Sequence, residues 1–226
     1  MRMLAVFEKG ERIRHIGHLD IQRSVQRGLR RSGLPVAYSN GFSPHILVTF
    51  ASALSTGACG KREIMDVTMA EDVGEAEFLE KMNRAMPPEM QLSEARAVDR
   101  KHPSLPPLLR AARYDILIRD EGQAKLLVAA VPAMLARETI PAMRKTKSKL
   151  MECDIKPLIY DLAGEGTHLR ATLVLTERES CKPAMILEGL RRTAGLPEET
   201  EIRTLIIRTQ LLGENAEGAF VPLENL

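Results

Sequence analysis

His15 and His18 stand three residues apart with Asp20 just behind them, and His45 follows further on. Imidazole beside carboxylate is the combination that general acid–base catalysis uses near neutral pH, which makes His18, Asp20 and His45 the candidate catalytic group. His15, His18 and His45 could equally supply imidazoles to a metal. The plainer reading has Asp20 favouring the N-terminus of a helix while the histidines pack in turns. Spacing leaves these readings open, because two histidines three residues apart fix no third ligand.

A second constellation is cationic. Arg23, Arg27, Arg30 and Arg31 meet no acid after Asp20, and residues 1–60 carry eight basic against three acidic side chains. From Ser32 to Arg62 there is no carboxylate. Guanidinium groups suit bidentate phosphate contacts, and Tyr38 and Phe42 follow in the next turn, where they could stack on bases. Asn40, Ser43 and His45 share that turn. Asn40-Gly41 and Ser43-Pro44 are ordinary turn chemistry, but two aromatics, a His and several polar groups in one connection exceed what a turn requires. Lys145 and Lys147, beside Lys149, form a smaller basic cluster. A plain solvated face and docking on an acidic protein are the competing readings of the arginines.

The elements that must position these groups follow from periodicity. Arg2–Phe7 reads as a strand, ended by the charged turn at Glu8–Glu11. Over Leu19–Ser32, Ile21, Val25 and Leu29 recur every fourth residue, so one helical face is apolar and the arginines take the other; Gly33 and Pro35 stop the helix. Val36–Tyr38, Ile46–Phe50, Arg62–Met69 and Met90–Val98 read as extended, and Phe78, Leu79, Met82 and Met86 stripe a helix over Gly74–Met86. This order of strand, helix, two strands, helix, strand predicts a ferredoxin-like βαββαβ unit over residues 1–100.

The proline-rich Lys101–Pro107 is the predicted connection to a second α+β unit over residues 108–226. There the pattern predicts strands at Arg113–Arg119, Thr139–Arg144, Glu152–Leu162, His168–Glu177 and Glu201–Leu211. It also predicts a helix over Glu121–Ala136 that Pro132 kinks or splits, a helix over Pro183–Thr193, and a mobile polar tail after Gly213. The fold class expected is α+β, built from two ferredoxin-like units.

Composition narrows the function classes. The 226 residues are 44% hydrophobic and 27% charged with a net charge of +2, ordinary for a globular protein. No run approaches the roughly 18 apolar residues of a membrane span, and the opening is too short for a signal peptide, so a cytoplasmic location without a membrane partner is expected. Cys59, Cys153 and Cys181 are far apart and form no closely spaced pair; neither a disulfide framework nor a bound metal or other cofactor is expected.

Arg14–Asp20, Gly33–His45 and Phe50–Gly57, read in order, resemble the radical SAM-linked family, a domain found fused behind B12-binding radical SAM domains or as a separate short protein. Lys145-Thr146-Lys147 and Asp154-Ile155-Lys156-Pro157 continue the resemblance. Gly17 stands where that family usually has Ser, Asn40 where an acidic residue is common, and Ile46 where Pro often follows the His. Lacking a cysteine cluster, the chain looks like the separate form, and the resemblance implies a radical SAM enzyme as partner. Glu77–Ala97 and Ala111–Tyr114 are in turn similar to a stretch of A-type tRNA pseudouridine synthases, which pair two α+β units around an RNA cleft and use a loop aspartate as nucleophile. The corresponding loop here, Ser39–His45, holds no carboxylate, so that likeness implies an RNA scaffold without the nucleophile.

These readings converge on a non-catalytic RNA-binding or substrate-presenting partner of a radical SAM enzyme. An enzyme acting on RNA or a nucleotide through His18, Asp20 and His45, and a protein adaptor without RNA contact, are the alternatives.

Overall fold

The computed structural model describes residues 1–145 and 150–226 and is α+β. It comprises two compact units, Met1–Leu109 with Gln210–Leu226, and Arg110–Thr209. The last stretch of chain thus groups with the N-terminal unit, where the sequence reading placed everything from residue 108 in one body.

In the first unit β1 (Arg2–Lys9) leads to α1 (His18–Ser32), β2 (Val48–Phe50), β3 (Ala58–Thr68), α2 (Glu75–Ala85), β4 (Leu92–Val98) and the single turn α3 (Leu105–Leu108). β1 pairs antiparallel with β4 on one side and β3 on the other, and β2 extends the sheet from β3. Pairing sets Met3 opposite Val67, Ala5 opposite Met65 and Phe7 opposite Glu63. Because strand side chains alternate, Met3, Ala5 and Phe7 share one face, and it packs with Ile21, Val25 and Leu29 of α1 and Phe78 and Met82 of α2. Methionines fill this core where a tryptophan-free sequence has few rings; their unbranched side chains adapt to irregular gaps. Val25 and Leu29 are fully buried, each contributing about 1.5–3 kcal/mol by transfer from water.

The second unit contains β5 (Ala111–Ile118), α4 (Glu121–Leu135), β6 (Pro141–Lys145), β7 (Leu150–Asp154), β8 (Ile159–Glu165), β9 (His168–Val174), α5 (Pro183–Thr193) and the start of β10 (Thr204–Glu214). β9 pairs antiparallel with β5 and β8, while β6 and β7 form a separate ribbon.

Three expectations are corrected here. α4 is not split at Pro132: the residue sits in the last turn, where its missing N–H removes one hydrogen bond, and Ala136 N closes on its carbonyl at 3.0 Å. Glu152–Leu162 is two strands, interrupted by a 3-10 turn at Lys156–Leu158. Asp154 forms that break, its carboxylate accepting the backbone N–H groups of Ile140 and Lys156, which hold its pKa below the usual range. The tail after Gly213 is ordered: β11 (Phe220–Pro222) pairs with β10, and Leu223 and Glu224 are buried.

No helix among the described residues is long and apolar enough to cross a membrane.

Candidate nucleic-acid interface

α1 divides its side chains as its spacing requires. Ile21, Val25, Gly28 and Leu29 are buried, whereas Arg23, Arg27, Arg30 and Arg31 are exposed. Gly28 lies where any Cβ would run into the Met86 sulfur, so the glycine permits close approach to the end of α2. Gly33 ends the helix in the left-handed conformation at φ 67°, which a side chain would oppose. Arg23 reaches back to Asp20 at 2.9 Å, and Arg31 donates to the Ala85 carbonyl at 2.6 Å. Arg27 and Arg30 form no ion pair among the described residues. Two guanidinium groups thus stand in solvent beside two that are tied.

The turn that follows is a closed structure. Ser39 N donates to the His45 carbonyl at 2.9 Å, His45 N donates to Ser39 Oγ at 3.1 Å, and the same hydroxyl meets His45 Nδ1 at 2.8 Å. Tyr38 and Ile46 form a β-bridge just outside this clamp. Between its jaws Gly41 takes φ 120°, and Asn40, Phe42 and Ser43 are exposed. Phe42 stands entirely in solvent, and Tyr38 is 47% exposed. A phenyl ring left in water gains nothing for the fold and presents an apolar face to solvent.

The histidine candidates have separate partners. His18 opens α1 and meets the Phe50 ring edge-on at 5.3 Å, Asp20 pairs with Arg23, and His45 belongs to the loop clamp. His15 is exposed. Among the described residues no three His, Cys, Asp or Glu side chains gather closely enough to hold a metal. Lys145 closes β6 opposite Leu150, and Lys147 lies outside the described residues.

Sequence reasoning missed two buried charges next to His18. Lys9 and Glu63 are 2% and 4% exposed and line a small pocket with Phe7, His18, Phe50 and Ser52. Lys9 Nζ donates to the Arg14 carbonyl at 2.8 Å. Glu63 folds over Gly60, where a Cβ would lie 2.5 Å from Glu63 Cγ, so only glycine leaves room for the carboxylate arm. The signal was present: Met3, Ala5, Phe7 and Lys9 share one parity, as do Glu63, Met65 and Val67, which places both charges on the core face. Reading Glu8–Glu11 as a turn hid it, since β1 runs on to Lys9 through a bulge.

Residues 2–183 match the model of a family, DUF2344, described as an uncharacterized protein conserved in bacteria. No curated protein matches the chain.

Proposed function

We propose that this chain, which belongs to the DUF2344 family, is a non-catalytic RNA-binding protein that presents an unpaired strand to a radical SAM enzyme in the cytoplasm. The observation that carries the reading is the clamped loop with Phe42 in solvent, following directly on a helix whose Arg27 and Arg30 have no acidic partner among the described residues. Arginines suit the phosphates and an exposed ring suits the face of an unstacked base, the division of labour by which proteins hold single strands. The enzyme partner is supported by the resemblance of Arg14–Asp20, Gly33–His45 and Phe50–Gly57 to radical SAM-linked proteins, and in this reading that partner performs the reaction.

Fluorescence anisotropy with a short unpaired RNA tests the RNA part. Raising salt from 50 to 200 mM should weaken binding about tenfold by counterion release. Arg27→Glu with Arg30→Glu should remove most of the affinity without changing the melting temperature. A wild-type protein with no RNA affinity at low salt, or a charge-reversed one that binds equally well, would sink the proposal.

A further inference from the structure

The loop clamp also borders an open cleft of about 310 Å³, lined by Arg2, His45, Thr49, Asp66, Thr68 and Ser104, with Leu47 and Val48 as its apolar part. Its charges are already matched. Arg2 Nε lies 3.0 Å from Asp66 Oδ1, Nη2 bonds Asp66 Oδ2, and Nη1 donates to the His102 carbonyl; the two side chains are only 13% and 5% exposed. A phosphate therefore finds no uncompensated guanidinium here. What the cleft offers is neutral and two-way: the hydroxyls of Thr49, Thr68 and Ser104 each give and accept a hydrogen bond, and His45 keeps Nε2 available because Ser39 holds Nδ1. Asp66 retains acceptor capacity beyond its bonds to Arg2.

A nucleobase has that chemistry, with a mixed donor and acceptor edge and an apolar face. The volume sits at the lower end of small-molecule sites and suits one base with its ribose rather than a stacked run. We infer that the cleft receives the base of one unstacked nucleotide from the RNA strand held by α1 and Phe42, an inference that rests on the RNA reading. His45 links the two sites, since it is both a jaw of the loop clamp and part of the cleft lining.

The test compares a short RNA with the same ribose-phosphate strand lacking bases, on wild-type protein and on a Thr49→Val, Thr68→Val variant. Valine keeps the shape and removes the hydroxyls. The variant should bind the base-bearing strand about tenfold more weakly, the equivalent of one or two hydrogen bonds, and bind the abasic strand like wild type. Ser104→Ala, in a separate segment, should act in the same direction and covers the case in which the valines disturb β2 or β3. Variants that bind both strands as wild type does would overturn the cleft assignment and leave the RNA surface standing. A wild-type protein that binds neither strand at low salt would overturn both.

Discussion

α1 and α4 are both fifteen residues long, yet they use their surfaces in opposite ways. α4 carries only Glu121 and Lys125 as charged residues, and it buries Ala124, Leu127, Ala130, Val131 and Met134. α1 buries a narrow stripe and sets Arg23, Arg27, Arg30 and Arg31 along the remainder, where like charges three and four residues apart repel by about 0.2–0.5 kcal/mol per pair. Packing accounts for the side chains of α4. It does not account for Arg27 and Arg30 of α1, which form no ion pair among the described residues, whereas Arg23 and Arg31 are tied to Asp20 and the Ala85 carbonyl; the proposed partner surface rests on that difference.

The contrast breaks if the two helices respond alike to truncation. Leu127→Ala in α4 should lower stability by about 2–5 kcal/mol in chemical denaturation, because Leu127 is fully buried and a cavity remains. A loss below 1 kcal/mol would show that α4 is not committed to its core.

A committed arginine sharpens the comparison further. Arg62 donates to Glu94 at 2.7 Å and to Glu224 at 2.7 and 2.9 Å, and Glu224 is buried. Arg62→Gln should cost about 2 kcal/mol by leaving Glu224 with Gln210 as its remaining partner. The hydrogen bond from Arg62 also holds the Glu94 carboxyl below its usual pKa. Stability from that pair is therefore present above the unfolded carboxyl range near pH 4.3 and lost as pH falls through the lowered folded value. Denaturation followed from pH 6 to pH 2 should show this component in wild type and not in Arg62→Gln.

The smallest effect is expected at Arg27 and Arg30, which form no ion pair among the described residues. Arg27→Gln with Arg30→Gln should change stability by no more than about 0.5 kcal/mol, in either direction. A loss as large as that of Arg62→Gln would mean that the arginine face serves the fold and not a ligand.

Legibility in the sequence followed how local each cause is. The α1 stripe was readable because Ile21, Val25 and Leu29 encode a helix by themselves, and Gly33 supplies its stop. The start of β3 was not, since Ala58, Cys59 and Gly60 carry no strand signal, and Gly60 is extended through its pairing with Lys9 of β1. The break after Asp154 needed knowledge that its carboxylate captures two backbone N–H groups, one of them fourteen residues away. Of the candidate interface, the residues were readable and the clamp was not: Ser39 and His45 show their bond only once the chain has turned at Gly41.

The docking of Glu224 against Arg62, and of the Leu226 backbone oxygen against Arg96 and His102, has a consequence for the order of synthesis. The first unit holds both early and late chain, and about a hundred residues, Arg110–Thr209, intervene. A ribosome delivers β1, α1 and β3 long before it delivers their C-terminal partners. The core of the first unit lies wholly in early chain, between Met3 and Leu92, so only the contacts of Glu224 and Leu226 wait for the second unit to be made, and the loop-closure cost of adding them grows only slowly with the length of the intervening chain.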